Sequence, residues 1–192
     1  MHAFASTARE CGIGPRLIDP FFDSMRTDLE VKVHDRESFE RYVYGSAEVV
    51  GLMCLRVFLA HGPRDDYDEL ALGARRLGSA FQKVNFLRDL AEDHDGLGRS
   101  YFPGLDVDSF CDDDRDALLD DIQRDLDVAA TAIPRLPDTS RRAVLAAHAV
   151  FSGLADELRR TPAEVIRRRR VRLSTPQKVR VVAQALVLGR PA

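Results

Sequence analysis

Apolar positions recur along this chain at helical spacing, and strand-type alternation is nearly absent. The pattern predicts a short helix over Met1 to Glu10, stopped by Gly12, and a second helix from Pro15 to about Glu30, with Pro15 in the first turn. Pro20 falls inside that second pattern and predicts a kink or a later start. A long helix is expected from about Ser38 to Ala60, closed by Gly62-Pro63, and another from about Asp66 to Asp93. A Gly- and Pro-containing loop follows over His94 to Asp106. Helices then cover about Asp113 to Ala132 and Thr139 to Arg160, parted by Pro134 and Pro137. Thr161-Pro162-Ala163-Glu164 reads as a capping box, and Ser174-Thr175-Pro176-Gln177 repeats its logic before an apolar helix ending at Gly189. The whole is an all-α domain of packed helices.

The 192 residues suffice for one domain with a real core, and a hydrophobic share of 45% argues against disorder. A net charge of −3 gives no drive towards nucleic acid. The charge is nevertheless uneven. From Asp112 to Asp127 there are eight Asp against two Arg, and from Arg159 to Arg180 nine basic residues against Glu164 alone. Both runs read first as solvated helix faces that attract each other. The second, with Arg167 to Arg170 as a solvated helix end, could also meet anionic lipid or diphosphate.

Cys11, Cys54 and Cys111 are scattered and odd in number, which points to reduced thiols and a cytoplasmic protein. Cys54 is expected as a small buried hydrophobe. His2, His34, His61, His94 and His148 lack metal-ligand spacing, and His148 lies on an apolar stretch as a core histidine. The longest apolar run, Val49 to Ala60, is broken by Arg56 and is too short to span a bilayer. Arg9, Glu10 and Gly12 interrupt any signal-peptide core.

One helix carries candidate chemistry. On the segment Leu77 to Asp93, residues Gln82, Asn85, Asp89 and Asp93 fall at spacings of three, four and four and share one face. Phe81, Val84, Leu87 and Leu90 form a separate apolar stripe. The plain reading of such a helix is a solvated polar face. Against it, Asp89 and Asp93 have no basic partner at i,i+4, and two carboxylates one turn apart, about 5.4 Å along the axis, repel unless a cation lies between them. Hard oxygen ligands of this kind suit Mg²⁺ together with substrate phosphates. Arg88 beside the pair could hold a phosphate oxygen. A loop arginine, Arg99, follows in Gly98-Arg99-Ser100-Tyr101-Phe102-Pro103 and could close over a diphosphate.

Gln82-x-x-Asn85-x-x-Arg88-Asp89-x-x-Glu92-Asp93, followed by that loop, resembles the second aspartate-rich motif and flap of squalene/phytoene synthases. The stretch Tyr42-Val43-Tyr44-Gly45-Ser46-Ala47-Glu48-Val49-Val50-Gly51 is similar to another block of the family, and the likeness, nearest to bacterial phytoene synthases, runs over essentially the whole chain. The resemblance implies the C-terminal portion (residues 1–192) of a single isoprenoid-synthase-type helical bundle, incomplete on its N-terminal side. It implies Mg²⁺-dependent head-to-head condensation of two geranylgeranyl diphosphates to phytoene, the precursor in carotenoid biosynthesis, through a cyclopropyl diphosphate and without NADPH. The implied catalytic set is Tyr42, Arg88, Asp89 and Asp93. Gln82, Asn85, Arg88, Arg99 and Tyr101 would bind substrate, and Asp89, Asp93 and Asn85 would hold the metal.

The chain also departs from the pattern. Glu48 stands where many members have Gly, and Phe151 where a late-acting tyrosine is expected. The family's first aspartate-rich motif would lie upstream. Asp112-Asp113-Asp114-Arg115-Asp116 matches a DDxxD string, but it follows the second motif and opens a helix, so capping explains it. Two other readings stand beside the first: a squalene or dehydrosqualene synthase using farnesyl diphosphate, and an inactive truncated product or non-catalytic assembly protein of the same fold. With half the metal cluster and one cavity wall missing, the chain alone is expected to be weakly active or inactive and to self-associate. Its apolar substrate and product suggest peripheral contact with a membrane.

Overall fold

The computed structural model describes residues 2–60 and 66–189. In chain order the helices are α1 (His2–Cys11), α2 (Pro15–Glu30), α3 (Arg36–Val43), α4 (Val49–Phe58), α5 (Asp66–Arg88), α6 (Asp112–Ala132), α7 (Asp138–Arg160), α8 (Ala163–Ile166) and α9 (Thr175–Leu188). No β-strand occurs among the described residues; Val33 and Ser100 form one isolated parallel bridge. The all-α expectation therefore holds. Gly62 and Pro63, expected to close the helix before them, fall outside the described residues.

Most helix ends follow their local chemistry. Pro15 opens α2, which continues through Pro20. The Ser174 hydroxyl and Gln177 amide cap each other's backbone at the start of α9, and Gly189, at φ 64°, closes it in a left-handed turn where a side chain would be strained. Two expectations are corrected. The helix from Ser38 to Ala60 is divided by a π-helical turn, Tyr44–Glu48, between α3 and α4. At α8, the Thr161 hydroxyl donates instead to the Glu157 carbonyl at 2.7 Å, and the Ala163 N–H is taken by Asp112 Oδ1 at 2.8 Å.

The largest core cluster joins Val84, Leu87, Leu119, Ile122, Leu126, Leu158 and Ile166, side chains at or near zero exposure. Helix α5 sits centrally. Its Arg76, Ser79 and Lys83, at i, i+3 and i+7, turn towards α6. There Asp125 Oδ2 accepts from Ser79 Oγ at 2.7 Å and from Lys83 Nζ at 2.8 Å, while Oδ1 accepts from Arg76 at 3.1 Å. On the opposite side α5 meets α4 and the π-helical turn backbone to backbone. A Cβ on Gly78 would strike the Ala47 carbonyl, and one on Gly51 the Ala74 carbonyl.

Among the described residues the two charged runs meet only through Arg159, and most of their other pairs go to different elements. Asp116 and Asp120 meet Arg159, and Asp121 and Asp125 meet Lys83. Within the DDxxD string, Asp114 Oδ2 accepts from the Cys111 N–H, and Asp112 and Asp116 flank buried Arg115, in keeping with a capping role. His148 is a satisfied core histidine, with Nε2 3.1 Å from the Leu126 carbonyl oxygen and burial lowering its pKa. No helix among the described residues is long and apolar enough to cross a membrane.

Candidate active site

The polar face of α5 forms as the spacing predicts. Asp89 N–H donates to the Asn85 carbonyl and Asp93 N–H to the Asp89 carbonyl, both at 2.9 Å, so the helical path runs on beyond Arg88. It ends in a second π-helical turn, Glu92–Gly96, which lengthens the helix into what reads as loop. Such turns recur at functional sites because they re-aim side chains.

Beside this face lies a cavity of about 450 Å³ between α4, α5, α6 and α7, walled almost wholly by apolar side chains and glycines. Along α5 its lining runs from Leu70 to Gln82, about one turn short of Asn85. Phe81, also in the wall, stacks on Phe151 with ring centroids 3.7 Å apart. Phe151 therefore acts as a packing ring. Cys54 corrects another expectation: it is exposed and lines this cavity, although burial of its thiol raises the pKa. Glu48 is buried and paired with Arg75 at 2.7 Å, which accounts for a carboxylate in an apolar neighbourhood.

Tyr42 stands at the end of α3 inside an aromatic box. Its ring centroid lies 5.1 Å from His34, 5.5 Å from Tyr101 and 6.0 Å from Phe86. Its hydroxyl donates to Asp28 Oδ1 at 2.9 Å, and burial raises its pKa, so the phenol stays neutral. Arg99 spans the flap: one Nη donates to the Asp28 carbonyl at 2.8 Å, the other to Tyr101 Oη at 3.3 Å, and its backbone N–H donates to the Asp93 carbonyl at 2.8 Å. The Ser100 N–H to Lys32 and His34 N–H to Ser100 bonds hold the flap to the segment before α3.

Asp89 departs from the sequence reading. It is not an unpaired carboxylate. Arg88 binds it through Nε at 2.8 Å and Nη2 at 2.5 Å, and Arg170 reaches Oδ1 through Nε at 2.8 Å. The Arg167–Arg170 run is only partly a solvated end: Arg168 and Arg169 are exposed, but Arg167 and Arg170 turn back onto the protein. Helix α8 stops at Ile166, and the chain doubles over the end of the aspartate-rich face. Arg167 then meets Asp95, Asp108 and the Val107 carbonyl. Asp28, His34 and Arg170 were not singled out for the site, and only the length of the arginine run hinted at one of them.

Asp93 carries no ion pair among the described residues. Burial, reinforced by the neighbouring Asp89 charge, pushes its carboxyl up to about 6. Asn85 Oδ1 is buried and has no hydrogen-bond partner. An orphaned amide oxygen beside two carboxylates is a hard-donor set that a divalent cation fits, although no group of three or more acidic, histidine or cysteine side chains with metal geometry occurs among the described residues.

The Asp93 shift has a testable sign. The folded protein holds this proton more tightly than the unfolded chain, so the ionised carboxylate destabilises the fold as pH rises from about 4 to about 6. Asp93→Asn is expected to raise the melting temperature of the metal-free chain at pH 7, with the gain vanishing near pH 4. Thermal unfolding of both proteins in chelator at the two pH values checks this; an Asp93→Asn melting point below the parent's at pH 7 contradicts it.

Comparison with known proteins identifies the family and the fold. The family model described as squalene/phytoene synthase matches residues 1–177. A bifunctional lycopene cyclase/phytoene synthase of Blakeslea trispora is 34% identical over 87 residues, 45% of this chain and 14% of that protein. A 4,4'-diapophytoene synthase of Staphylococcus haemolyticus is 29% identical over 126 residues, 65% of this chain and 41% of that protein. Among solved structures, squalene synthase HpnC from Alicyclobacillus acidocaldarius superposes with a TM-score of 0.71 at 20% identity, covering 83% of this chain and 64% of that one. A dehydrosqualene synthase in complex with ligand gives 0.73 at 21% identity, covering 88% and 64%. The chain thus spans less than two thirds of the length of each, and the shared fold is the all-α isoprenoid-synthase bundle. With the family model matched over 177 of its 192 residues, this chain belongs to the squalene/phytoene synthase family.

Proposed function

We propose that the protein condenses two geranylgeranyl diphosphates head to head to phytoene, with residues 1–192 as the C-terminal portion of a single catalytic domain. The observation that carries the reading is the apolar cavity ending at Gln82, one turn from the Asn85, Asp89 and Asp93 face. A prenyl tail takes the cavity and its diphosphate meets the polar face. Asn85, Asp89 and Asp93 hold Mg²⁺, which when bound neutralises the departing diphosphate. Arg88 and Arg99 add donors to the same charge. Gln82 sits where tail meets head group. Tyr42, neutral and bonded to Asp28, lies outside the cavity lining, packed against His34, Phe86 and Tyr101; in this reading its ring would stabilise the allylic cation once substrate is bound, with Tyr101 in the flap beside it. The apolar walls keep water from that cation. No reductant enters this reaction. In the same reading the protein is cytoplasmic and touches a membrane surface where its apolar product leaves, and exposed Leu29 and Val187 favour self-association.

The test is product analysis of the protein with geranylgeranyl diphosphate and Mg²⁺, alongside binding of the thiodiphosphate analogue. Phytoene is expected, at low turnover for the 192-residue chain. Asp89→Ala is expected to cut it about a hundredfold, the scale for removing one electrostatic group from a preorganised site. No phytoene together with no Mg²⁺-dependent analogue binding overturns the reading. The relatives named for 4,4'-diapophytoene and dehydrosqualene synthesis favour a second reading, in which farnesyl diphosphate is the substrate. Product formation from farnesyl diphosphate alone would select it.

A further inference from the structure

Both oxygens of Asp89 are engaged. Arg88, its neighbour on the helix, holds them side-on. Arg170 arrives from a different part of the chain, its Nε 2.8 Å from Oδ1 and Nη1 3.5 Å from Glu92 Oε2. The stretch that delivers it is non-helical and pinned on either side of Arg170. Arg167 is fixed by Asp95, Asp108 and the Val107 carbonyl, and Val171 and Leu173 are buried. Asp89 belongs to the donor set that includes Asn85, whose buried Oδ1 has no partner.

A divalent cation and a guanidinium compete for the same carboxylate lone pairs. Arg88 is bidentate and sits on the rigid helix, so the displaceable group is Arg170, which makes one short bond from a non-helical segment. We propose that Arg170 is a resident counter-cation of Asp89 that gives way when a divalent metal enters with a diphosphate, so that the Arg170 side chain is a latch, carried on a segment that stays seated, whose closure reports an empty metal site. The latch rests on the metal-site reading proposed for Asn85, Asp89 and Asp93. It adds a regulatory element: metal must first displace a built-in cation. Arg167, bonded to residues outside the donor set, keeps the segment tethered while Arg170 swings.

The experiment measures binding of Mn²⁺ with inorganic pyrophosphate to the 192-residue chain, by electron paramagnetic resonance of free Mn²⁺. Arg170→Gln is expected to bind about fivefold more tightly than the parent, the scale of one well-placed ion pair. Arg168→Gln removes the same charge from an exposed side chain that, among the described residues, is paired with Glu164 alone, and is expected to leave affinity unchanged. Equal or weaker binding by Arg170→Gln overturns the latch, as does an equal gain in Arg168→Gln or no binding by either parent or Arg170→Gln. Asp89→Asn separates the two readings. If it loses binding while Arg170→Gln matches the parent, the latch alone fails. If it binds like the parent, the metal site fails and the latch with it.

Discussion

Replacing Asp125 with alanine is expected to cost about 3 kcal/mol of folding stability, the range found when one partner of a buried ion pair is removed. Asp125 is 5% exposed and gathers Ser79, Arg76 and Lys83 from α5. Burial alone would lower the Lys83 pKa, but the hydrogen bonds its ammonium donates to Asp121 and Asp125, with their charges, outweigh it and raise it. Without Asp125 a largely buried ammonium keeps only Asp121. Removing both charges in a Lys83→Met/Asp125→Leu double variant is expected to recover more than half the loss, because the apolar pair needs no counter-charge. Urea unfolding of the three proteins checks this. A single variant within about 0.5 kcal/mol of the parent, the usual surface range, would show that the network does not organise α5. The network also bears on chemistry. It fixes the rotation of α5, and with it the direction of Gln82, Asn85 and Asp89.

The second large effect is at Gly78. A methyl group there would strike the Ala47 carbonyl oxygen, with the Ala47 carbonyl carbon at 2.9 Å and Glu48 Cα at 3.2 Å. These are backbone atoms of the π-helical turn and cannot swing aside as a side-chain tip can. Gly78→Ala is expected to lose about 2 kcal/mol or more, and Gly78→Val more again, as in other overpacked cores. Gly96, whose added Cβ meets nothing within 4 Å, supplies the control, with Gly96→Ala within about 0.5 kcal/mol of the parent. Chemical unfolding of the three variants decides it. Because Ala47, Gly51 and Gly78 all line the cavity, separating α4 from α5 also reshapes the proposed prenyl pocket.

What could be read from the sequence was what local chemistry determines. Pro15, the Ser174–Gln177 box and Gly189 mark helix ends through bonds made within a few residues. The three- and four-residue spacing from Gln82 to Asp93 correctly set one face. The π-helical turns at Tyr44–Glu48 and Glu92–Gly96 left no periodic trace, because one added residue per turn is smaller than the noise of an apolar pattern. Thr161 misled for another reason. Its hydroxyl had two acceptable uses, and the bond to the Glu157 carbonyl won once Asp112 served the Ala163 N–H. Asp28, His34 and Arg170 escaped because their partners lie on other elements. No spacing rule reaches from α2 to Tyr42, or from the end of α8 to Asp89.

The Asp112–Ala163 bond also bears on the order of assembly. Helix α8 has only four residues and borrows its cap from the start of α6. Too short to persist in isolation, it has to wait until α7 has carried the chain back to α6. The arginine segment that follows α8 inherits the same delay. Residues Arg167 to Leu173 are therefore expected to take their places late in folding, after the surface that receives them already exists, much as a keystone is set once both sides of an arch are standing.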